Sequence, residues 1–199
     1  SAITEKQGPA IEIWSIDLQK AVDMLDQGKV LTRCHRAGIG GFVGKALENW
    51  LTSRTQYVQC GTEKSKERTV NSSCVQGSVL GPTLWLIYIQ SLLDRLEGEC
   101  EHFAYADDIA IIMKISTPEE IAKLKGILQI LLDWGKEYGM KWGAHKTQRM
   151  AFRYHRCGGP PPPEILFDGK IIKPTKTSEY RGVLLNKGCV PYAQIERVR

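Results

Sequence analysis

The chain has 199 residues and a mass of 22.4 kDa, enough to bury the core of one large domain or two small ones. Apolar residues make up 42% and charged residues 25%, which excludes wholesale disorder and fibrous structure. The longest apolar run, residues 84–89, is too short for a membrane-spanning helix. The formal charge of +5 leans towards a polyanionic partner but does not identify one.

The N-terminus and the cysteines favour an intracellular location. The first ten residues are mostly polar and lack both an initiator Met and an apolar signal core. Six cysteines show no Cys-x-x-Cys spacing, and the neighbouring histidines have no paired ligand partners, which favours free thiols over a zinc site. We therefore expect a fragment of an intracellular protein, nuclear or cytoplasmic, that is not secreted.

The first half of the chain predicts one strand, three helices and one hairpin. In order, these are a buried strand at 11–18, helices at 28–37 and 43–51, a two-stranded hairpin within 56–71 and a helix at 82–96. Pro82 stands at a helix-entry position, and the apolar run after it has no polar face. We therefore expect residues 85–89 to lie on a mostly buried helix.

The second half alternates strands and helices without a strict parallel-sheet rhythm. Thr117 precedes Pro118, and Glu120 follows three residues after Thr117, which is the capping-box spacing of a helix start. The other predicted elements are a strand-turn-strand at 102–113, a strand at 149–152, a stiff proline connector at 160–163 and a hairpin at 165–172. Together these patterns predict an α+β domain, with a mixed or antiparallel sheet and helices packed on one face.

Three aspartates stand at the ends of predicted strands: Asp17, and the adjacent pair Asp107 and Asp108. Neighbouring carboxylates repel each other and are costly to desolvate, so a compensating charge is required. Hard oxygen ligands suit Mg²⁺, and two ions can be held if the first strand lies beside the hairpin. The alternative is a solvent-exposed Asp-Asp turn, because aspartates are common in turns.

Five motifs follow one another along the chain. They are Ser-Ile-Asp-Leu-Gln-Lys-Ala-Val-Asp at 15–23, Ser-Cys-Val-Gln-Gly-Ser-Val-Leu-Gly-Pro at 73–82, Phe-Ala-Tyr-Ala-Asp-Asp at 103–108, Tyr-Gly-Met-Lys at 138–141 with Lys-Thr at 146–147, and Tyr-Arg-Gly-Val at 180–183. Over residues 11–190 their order and spacing resemble the reverse transcriptases of non-LTR retrotransposons. Leu-Gly-Pro after the Gln-Gly pair favours this group over the group II intron enzymes, which usually carry Ser-Pro there.

The resemblance implies a polymerase palm with partial fingers and no thumb. It divides the chain into a polar tail at 1–10, a palm domain at 11–190 and a stub at 191–199 that leads to an absent thumb. The implied activity is RNA-templated DNA polymerisation, with an RNA template, a DNA primer and dNTPs as partners and no membrane. The implied cofactor is Mg²⁺, with Mn²⁺ as a substitute.

The resemblance also implies roles for single residues. Asp17 and Asp107 would hold the two metal ions with Asp108 in support, and Lys146 would offset charge on the pyrophosphate, although it could equally be an ordinary solvated lysine. The implied nucleotide-binding residues are Leu18, Val22, Gln76 and Gly77. The implied primer grip is Tyr180, Arg181, Gly182 and Val183, for which a simple core strand is the alternative.

The chain departs from the family pattern at several positions. Val22 stands where an aromatic usually excludes the ribose 2′ hydroxyl, Val75 replaces a Pro, and Arg181 replaces a Leu. Residues 143–145, Gly-Ala-His, replace the usual Asn-containing approach to Lys146. An inert, reverse-transcriptase-derived binding or structural domain therefore stands as an alternative hypothesis. An RNA-dependent RNA polymerase would use the same paired carboxylates to hold metal ions, but the Tyr-Ala-Asp-Asp box fits that class of enzyme less well.

Overall fold

The computed structural model describes residues 10–153, 163–180 and 183–186. In chain order its elements are β1 (Ala10–Gln19), α1 (Gln27–Arg36), α2 (Gly41–Thr52), β2 (Thr55–Gln56), β3 (Gln59–Cys60), β4 (Glu63–Lys64), β5 (Arg68–Thr69), α3 (Gly81–Leu96), β6 (Glu101–Tyr105), β7 (Asp108–Ile115), α4 (Pro118–Tyr138), β8 (Lys141–Trp142), β9 (Gln148–Arg153), β10 (Ile165–Phe167), β11 (Lys170–Ile172), β12 (Pro174–Thr175), β13 (Thr177–Tyr180) and β14 (Val183–Asn186). Every predicted element within the described residues is present. Three of the four connector prolines lie outside the described residues.

The chain divides into two compact units. The first contains the chain up to Gln19, residues 95–133 and the chain from Trp142 onward; the second contains residues 20–94 and 134–141. A six-stranded sheet forms the first unit, in the order β12-β9-β1-β7-β6 with β8 also paired to β1. The β1–β7, β1–β9 and β6–β7 ladders are antiparallel and β12–β9 is parallel, so the predicted α+β class with a mixed sheet is confirmed.

Strand β1 has two different faces. Its even-numbered residues, including Trp14, Ile16 and Leu18, are buried, whereas the odd-numbered residues are at least partly exposed. Successive side chains of a strand point to opposite faces of the sheet, so this alternation separates a core face from an open face. Asp17 lies on the open face.

A buried ion pair lies on the core face of the sheet. Glu12 and Arg149 are 1% and 0% exposed, and the guanidinium donates to both carboxylate oxygens, at 2.8 Å from Nε and 2.5 Å from a terminal nitrogen. Trp14 donates its indole N–H to the same carboxylate at 3.1 Å. The other terminal nitrogen of Arg149 donates to two carbonyls of the β10–β11 hairpin region. Pro163 lies just before the hairpin, and Ile172 is its last residue. The pair therefore fixes that hairpin to the sheet.

Local sequence signals set the ends of α4 and the β10–β11 turn. Thr117 Oγ accepts from the backbone N–H of Glu120, and the Glu120 carboxylate accepts from the N–H of Thr117 at 3.0 Å, so the predicted capping box is confirmed. Asp168 and Gly169 both adopt positive φ, of 46° and 75°. Two such residues suit the two-residue hairpin turn, which confirms the predicted hairpin.

The second unit contains α1, α2, most of α3, and one hairpin nested inside another. β2 pairs with β5 and β3 pairs with β4, whereas the sequence predicted one two-stranded hairpin. An aromatic cluster fills the core of this unit, where the Tyr88 ring lies 5.2 Å from Tyr138 and 6.2 Å from Trp134. The Tyr88 hydroxyl donates to the Tyr138 carbonyl at 2.8 Å. Burial raises the pKa of Tyr88 to about 12, so it remains a neutral donor.

Helix α3 is less buried than its sequence predicted. Trp85, Tyr88 and Ile89 are buried, but Ile87 is half-buried and Leu86 is 60% exposed. The helix is mostly buried over residues 85–89, as expected, but the expectation that Leu86 is one of its buried residues was wrong. An apolar run gives no period from which to choose the solvent-facing side of a helix, and single exposed leucines are common on protein surfaces.

The exposure difference predicts different mutational costs along α3. Leu86→Ala should change the free energy of unfolding by no more than about 0.5 kcal/mol. Ile89→Ala should cost about 2–5 kcal/mol, because the side chain is 1% exposed and its removal leaves a cavity. Urea denaturation of both variants measures the difference, and equal costs would contradict the assigned orientation of α3.

The cysteines in the described part of the chain are free thiols, as predicted. Cys34 and Cys74 are buried, Cys60 is exposed, and Cys100 is half-buried. Burial raises the pKa of Cys34 and raises that of Cys100 to about 11, so neither forms the thiolate at neutral pH. No helix in the described residues has the length and apolar character to cross a membrane.

Candidate active site

Two aspartates face each other at the end of the central strands. The antiparallel register of β1 and β7 pairs Asp17 with Asp108, so the two side chains project from the same face of the sheet. The resemblance implied Asp17 and Asp107 as the metal-holding pair, and we expected these two to face each other across adjacent strands, but the residue opposite Asp17 is Asp108. Asp107 lies in the two-residue turn between β6 and β7, directly before that pair. All three aspartates are partly accessible to solvent.

The turn that carries Asp107 has an unusual backbone. Its first residue, Ala106, has a φ of 53°. This left-handed conformation is energetically unfavourable for a residue with a Cβ, and glycine is the usual residue there. Tyr105 pairs with Asp108 across the turn, which holds the ends of the two strands together. Strain of this kind concentrates at functional sites, where the surrounding structure maintains it.

A tight turn after β8 closes on Asp17. The backbone N–H of Gly143 donates to the Asp17 carbonyl at 2.8 Å, and Lys146 Nζ lies 3.4 Å from Asp17 Oδ2. That oxygen is buried and accepts no hydrogen bond. The structure therefore brings together Asp17, Asp108 and Lys146, three of the predicted site residues.

The donor chemistry of this site fits a hard divalent cation. Asp17 and Asp108 supply carboxylate oxygens from one sheet face, and Asp17 Oδ2 has no hydrogen bond to lose. Within the described residues, no group of three or more His, Cys, Asp or Glu side chains is gathered closely enough to hold a metal. Mg²⁺ nevertheless needs only one or two carboxylates when substrate phosphates and water complete its shell.

The predicted nucleotide-binding residues of the second unit also lie together. Gln76 Nε2 donates to the Asp23 carboxylate at 2.7 Å, and the N–H of Cys74 donates to the Val22 carbonyl at 3.3 Å. Asp23 was given no role from the sequence, although it ends the first motif. Gly77 has a φ of 78°, so its backbone conformation alone favours glycine.

Other predicted residues do not face this site. Leu18 is 1% exposed on the core face of β1, opposite to the face of Asp17, so any contact of Leu18 with a nucleotide is left to its backbone. Tyr180 pairs with Val183 in the β13–β14 ladder, while the side chains of both residues, and the whole of Arg181 and Gly182, lie outside the described residues. The primer grip therefore stays a prediction.

Sequence comparison identifies the class of protein. The profile of the family described as reverse transcriptase (RNA-dependent DNA polymerase) matches residues 2–184. The chain belongs to this family.

Its similarity to individual proteins points to retrotransposon polymerases. Over 184 residues it is 26% identical to the RNA-directed DNA polymerase from mobile element jockey of Drosophila funebris, covering 86% of this chain and 19% of that protein. Over 76 residues it is 36% identical to the retrovirus-related Pol polyprotein from type-1 retrotransposable element R1 of Nasonia vitripennis, covering 37% of this chain and 23% of that protein. The matched segments span about a fifth of the length of each of these relatives.

Solved structures of telomerase share the fold. Apo telomerase from Candida tropicalis matches with a TM-score of 0.64 and 11% identity, covering 92% of this chain and 32% of that one. Telomerase from Candida albicans, solved in complex with a TWJ fragment of telomeric RNA, matches with a TM-score of 0.56 and 13% identity, covering 92% and 31%. The resemblance establishes a polymerase palm-like fold.

Proposed function

We propose that this chain is the catalytic palm of an RNA-templated DNA polymerase that belongs to a retrotransposon protein. The observation that carries the proposal is the β1–β7 register, which opposes Asp17 and Asp108 beside the turn of Asp107 in a member of the reverse transcriptase family. Relatives named as RNA-directed DNA polymerases and a telomerase neighbour in complex with RNA support an RNA template as its partner. A DNA primer and dNTPs complete the proposed set of substrates.

In this proposal Asp17, Asp107 and Asp108 hold two Mg²⁺ ions, for which Mn²⁺ can substitute. Metal ions held by these carboxylates would supply two effects, a lower pKa of the primer 3′ hydroxyl and an offset of charge on the leaving pyrophosphate. The Lys146 side chain is 62% exposed, so its ammonium can reach an anionic group and donate a proton or a hydrogen bond to it. Asp23 orients the Gln76 amide, which would lie against the incoming nucleotide.

Primer extension tests the proposed function. The chain is incubated with a DNA primer on an RNA or a DNA template, with Mg²⁺ or Mn²⁺, and with dNTPs or rNTPs. Extension with dNTPs on RNA is the expected result. If the chain alone extends nothing, the assay is repeated with the chain replacing the matching segment of the jockey polymerase. Failure of this chimera, while the parent enzyme extends, would contradict the proposal.

An inert nucleic-acid-binding or structural domain is the second candidate function. It is favoured by one observation, that in the described part of the chain no three acidic, His or Cys side chains are gathered for a metal. Binding of a primer–template duplex without extension, by both the chain and the chimera, would support this candidate. Extension by either would exclude it.

Val22 predicts weak discrimination against ribonucleotides. The side chain is half-buried and smaller than the aromatic that usually closes the space beside the sugar. Val22→Phe should therefore raise the ratio of kcat/KM for dNTP over rNTP by about tenfold, equivalent to about 1.4 kcal/mol in the transition state. Single-nucleotide incorporation measures the ratio, and Val43→Phe, which adds the same ring on exposed α2, is the matched control. Strong dNTP preference unchanged by Val22→Phe would assign the gate to another residue.

A further inference from the structure

The carboxylate of Asp17 is turned into the chain rather than towards open solvent. Its side chain is 18% exposed, and its Oδ2 atom is buried between Gly143 and the ammonium of Lys146. Lys146 Nζ is close enough for an ion pair, at 3.4 Å, but donates no hydrogen bond to this oxygen. A metal ion could use Oδ2 only after the carboxylate and the ammonium separate.

Gly143 makes this orientation of Asp17 possible. A Cβ atom at position 143 would lie 2.6 Å from Asp17 Oδ2, and real Cβ contacts are never this short. The φ of Gly143 is outside the left-handed region, so its backbone conformation is open to alanine. The requirement for glycine therefore comes from Asp17 and not from the φ of the turn: chiefly from its carboxylate, and to a smaller extent from its backbone carbonyl oxygen, which would lie 3.3 Å from the added Cβ.

The turn itself is firmly held. The Gly143 carbonyl accepts from the backbone N–H groups of Lys146 and Thr147, both at 2.8 Å, and from the Thr147 hydroxyl at 3.1 Å. Gln19 donates its amide to the Trp142 carbonyl at 3.0 Å. A Cβ added to Gly143 should therefore displace the carboxylate, which can rotate, rather than the turn.

We propose that Gly143 and Lys146 form a resting seat for the Asp17 carboxylate, in which the lysine ammonium occupies the charge position of a divalent metal. The metal must then displace Lys146 before it can bind Asp17 through Oδ2, and Gly143 acts as a positioning residue through Asp17. The inference rests on the proposed function in one respect, that Asp17 is a metal ligand. Lys146 is largely exposed and free to move away when the metal enters.

Titration of the 199-residue chain with Mn²⁺, followed by electron paramagnetic resonance, tests the seat. Gly143→Ala and Lys146→Met should each bind Mn²⁺ about two- to fivefold tighter than the wild type, the range that the loss of one partly exposed ion pair accounts for. Gly143→Ala changes no charge, so tighter Mn²⁺ binding by this variant would not be explained by the removal of a positive charge from the site. Lys114→Met is the matched control, because Lys114 is an exposed residue of β7 that pairs with Ile11, far along the strand from Asp17. This variant also loses one positive charge, and it should bind Mn²⁺ with the affinity of the wild type.

The Mn²⁺ affinities of these variants show whether Gly143 and Lys146 form the proposed seat. The inference is overturned if a folded Gly143→Ala variant binds Mn²⁺ no tighter than the wild type, or if Lys146→Met binds no tighter than Lys114→Met. If Gly143→Ala does not fold, the comparison of the two lysine variants decides alone. Asp17→Asn separates the two proposals: loss of Mn²⁺ binding in that variant with unchanged affinity in Gly143→Ala would overturn only the seat. Equal Mn²⁺ binding by Asp17→Asn and the wild type would contradict the proposed function as well.

Discussion

Asp17→Asn should lower the rate of primer extension by about 10³-fold or more. The substitution keeps the shape of the side chain but removes the negative charge that would hold a metal, and metal stabilisation of a phosphoryl transition state is worth several kcal/mol. Single-turnover incorporation of one dNTP on an RNA template measures the loss. The variant should keep its affinity for a primer–template duplex within a few-fold, because that affinity comes mainly from basic residues.

A second substitution of the same chemistry controls for this result. Asp168→Asn lies in the β10–β11 turn at positive φ, a conformation that asparagine tolerates, and should extend primers at the wild-type rate. Both variants are compared in the chain and in the jockey chimera. If Asp17→Asn extends primers at the wild-type rate in either background, Asp17 is not a metal ligand and the proposed site is wrong.

Local chemistry made much of the fold predictable from the sequence. The capping box at Thr117 and the Asp-Gly turn at 168–169 each depend on residues within a few positions of one another, and both are present. The two-metal hypothesis required β1 to lie beside the β6–β7 hairpin, and the two are adjacent. Short-range hydrogen bonds and turn chemistry therefore predicted the start of α4 and the β10–β11 turn, whereas charge repulsion between carboxylates pointed to the strands that carry the candidate site.

Long-range pairing was not predictable in the same way. Glu12 and Arg149 are 137 residues apart, and nothing local marks either as buried. The register of Asp17 depends on where the β6–β7 turn closes, which moved its partner from Asp107 to Asp108. The contact of Gly143 with Asp17 was visible in the sequence only as a departure from the family pattern, since its cause is the space that Asp17 occupies. These features required the tertiary structure.

Arg149→Met should destabilise the chain by about 3–5 kcal/mol. Removal of the guanidinium leaves the Glu12 carboxylate charged and desolvated on the core face of the sheet, and breaking one half of a buried pair costs about this much. The substitution also removes the donors to the carbonyls of Pro163 and Ile172, so the β10–β11 hairpin loses its attachment. Urea denaturation followed by circular dichroism measures the change in the free energy of unfolding.

Two controls separate the buried charge from general damage. Adding Glu12→Leu to Arg149→Met removes the stranded carboxylate and should recover most of the lost stability, because replacing both members of a buried pair by apolar residues is often neutral. Lys173→Met breaks the exposed pair with Glu164, at 3.2 Å in the same unit, and should cost at most about 1 kcal/mol. If Arg149→Met costs no more than Lys173→Met, then Glu12 is solvated and the two side chains do not form a buried pair. A double variant no more stable than Arg149→Met would instead assign the loss to the hairpin attachment, since the carboxylate is then absent and only the missing donors remain.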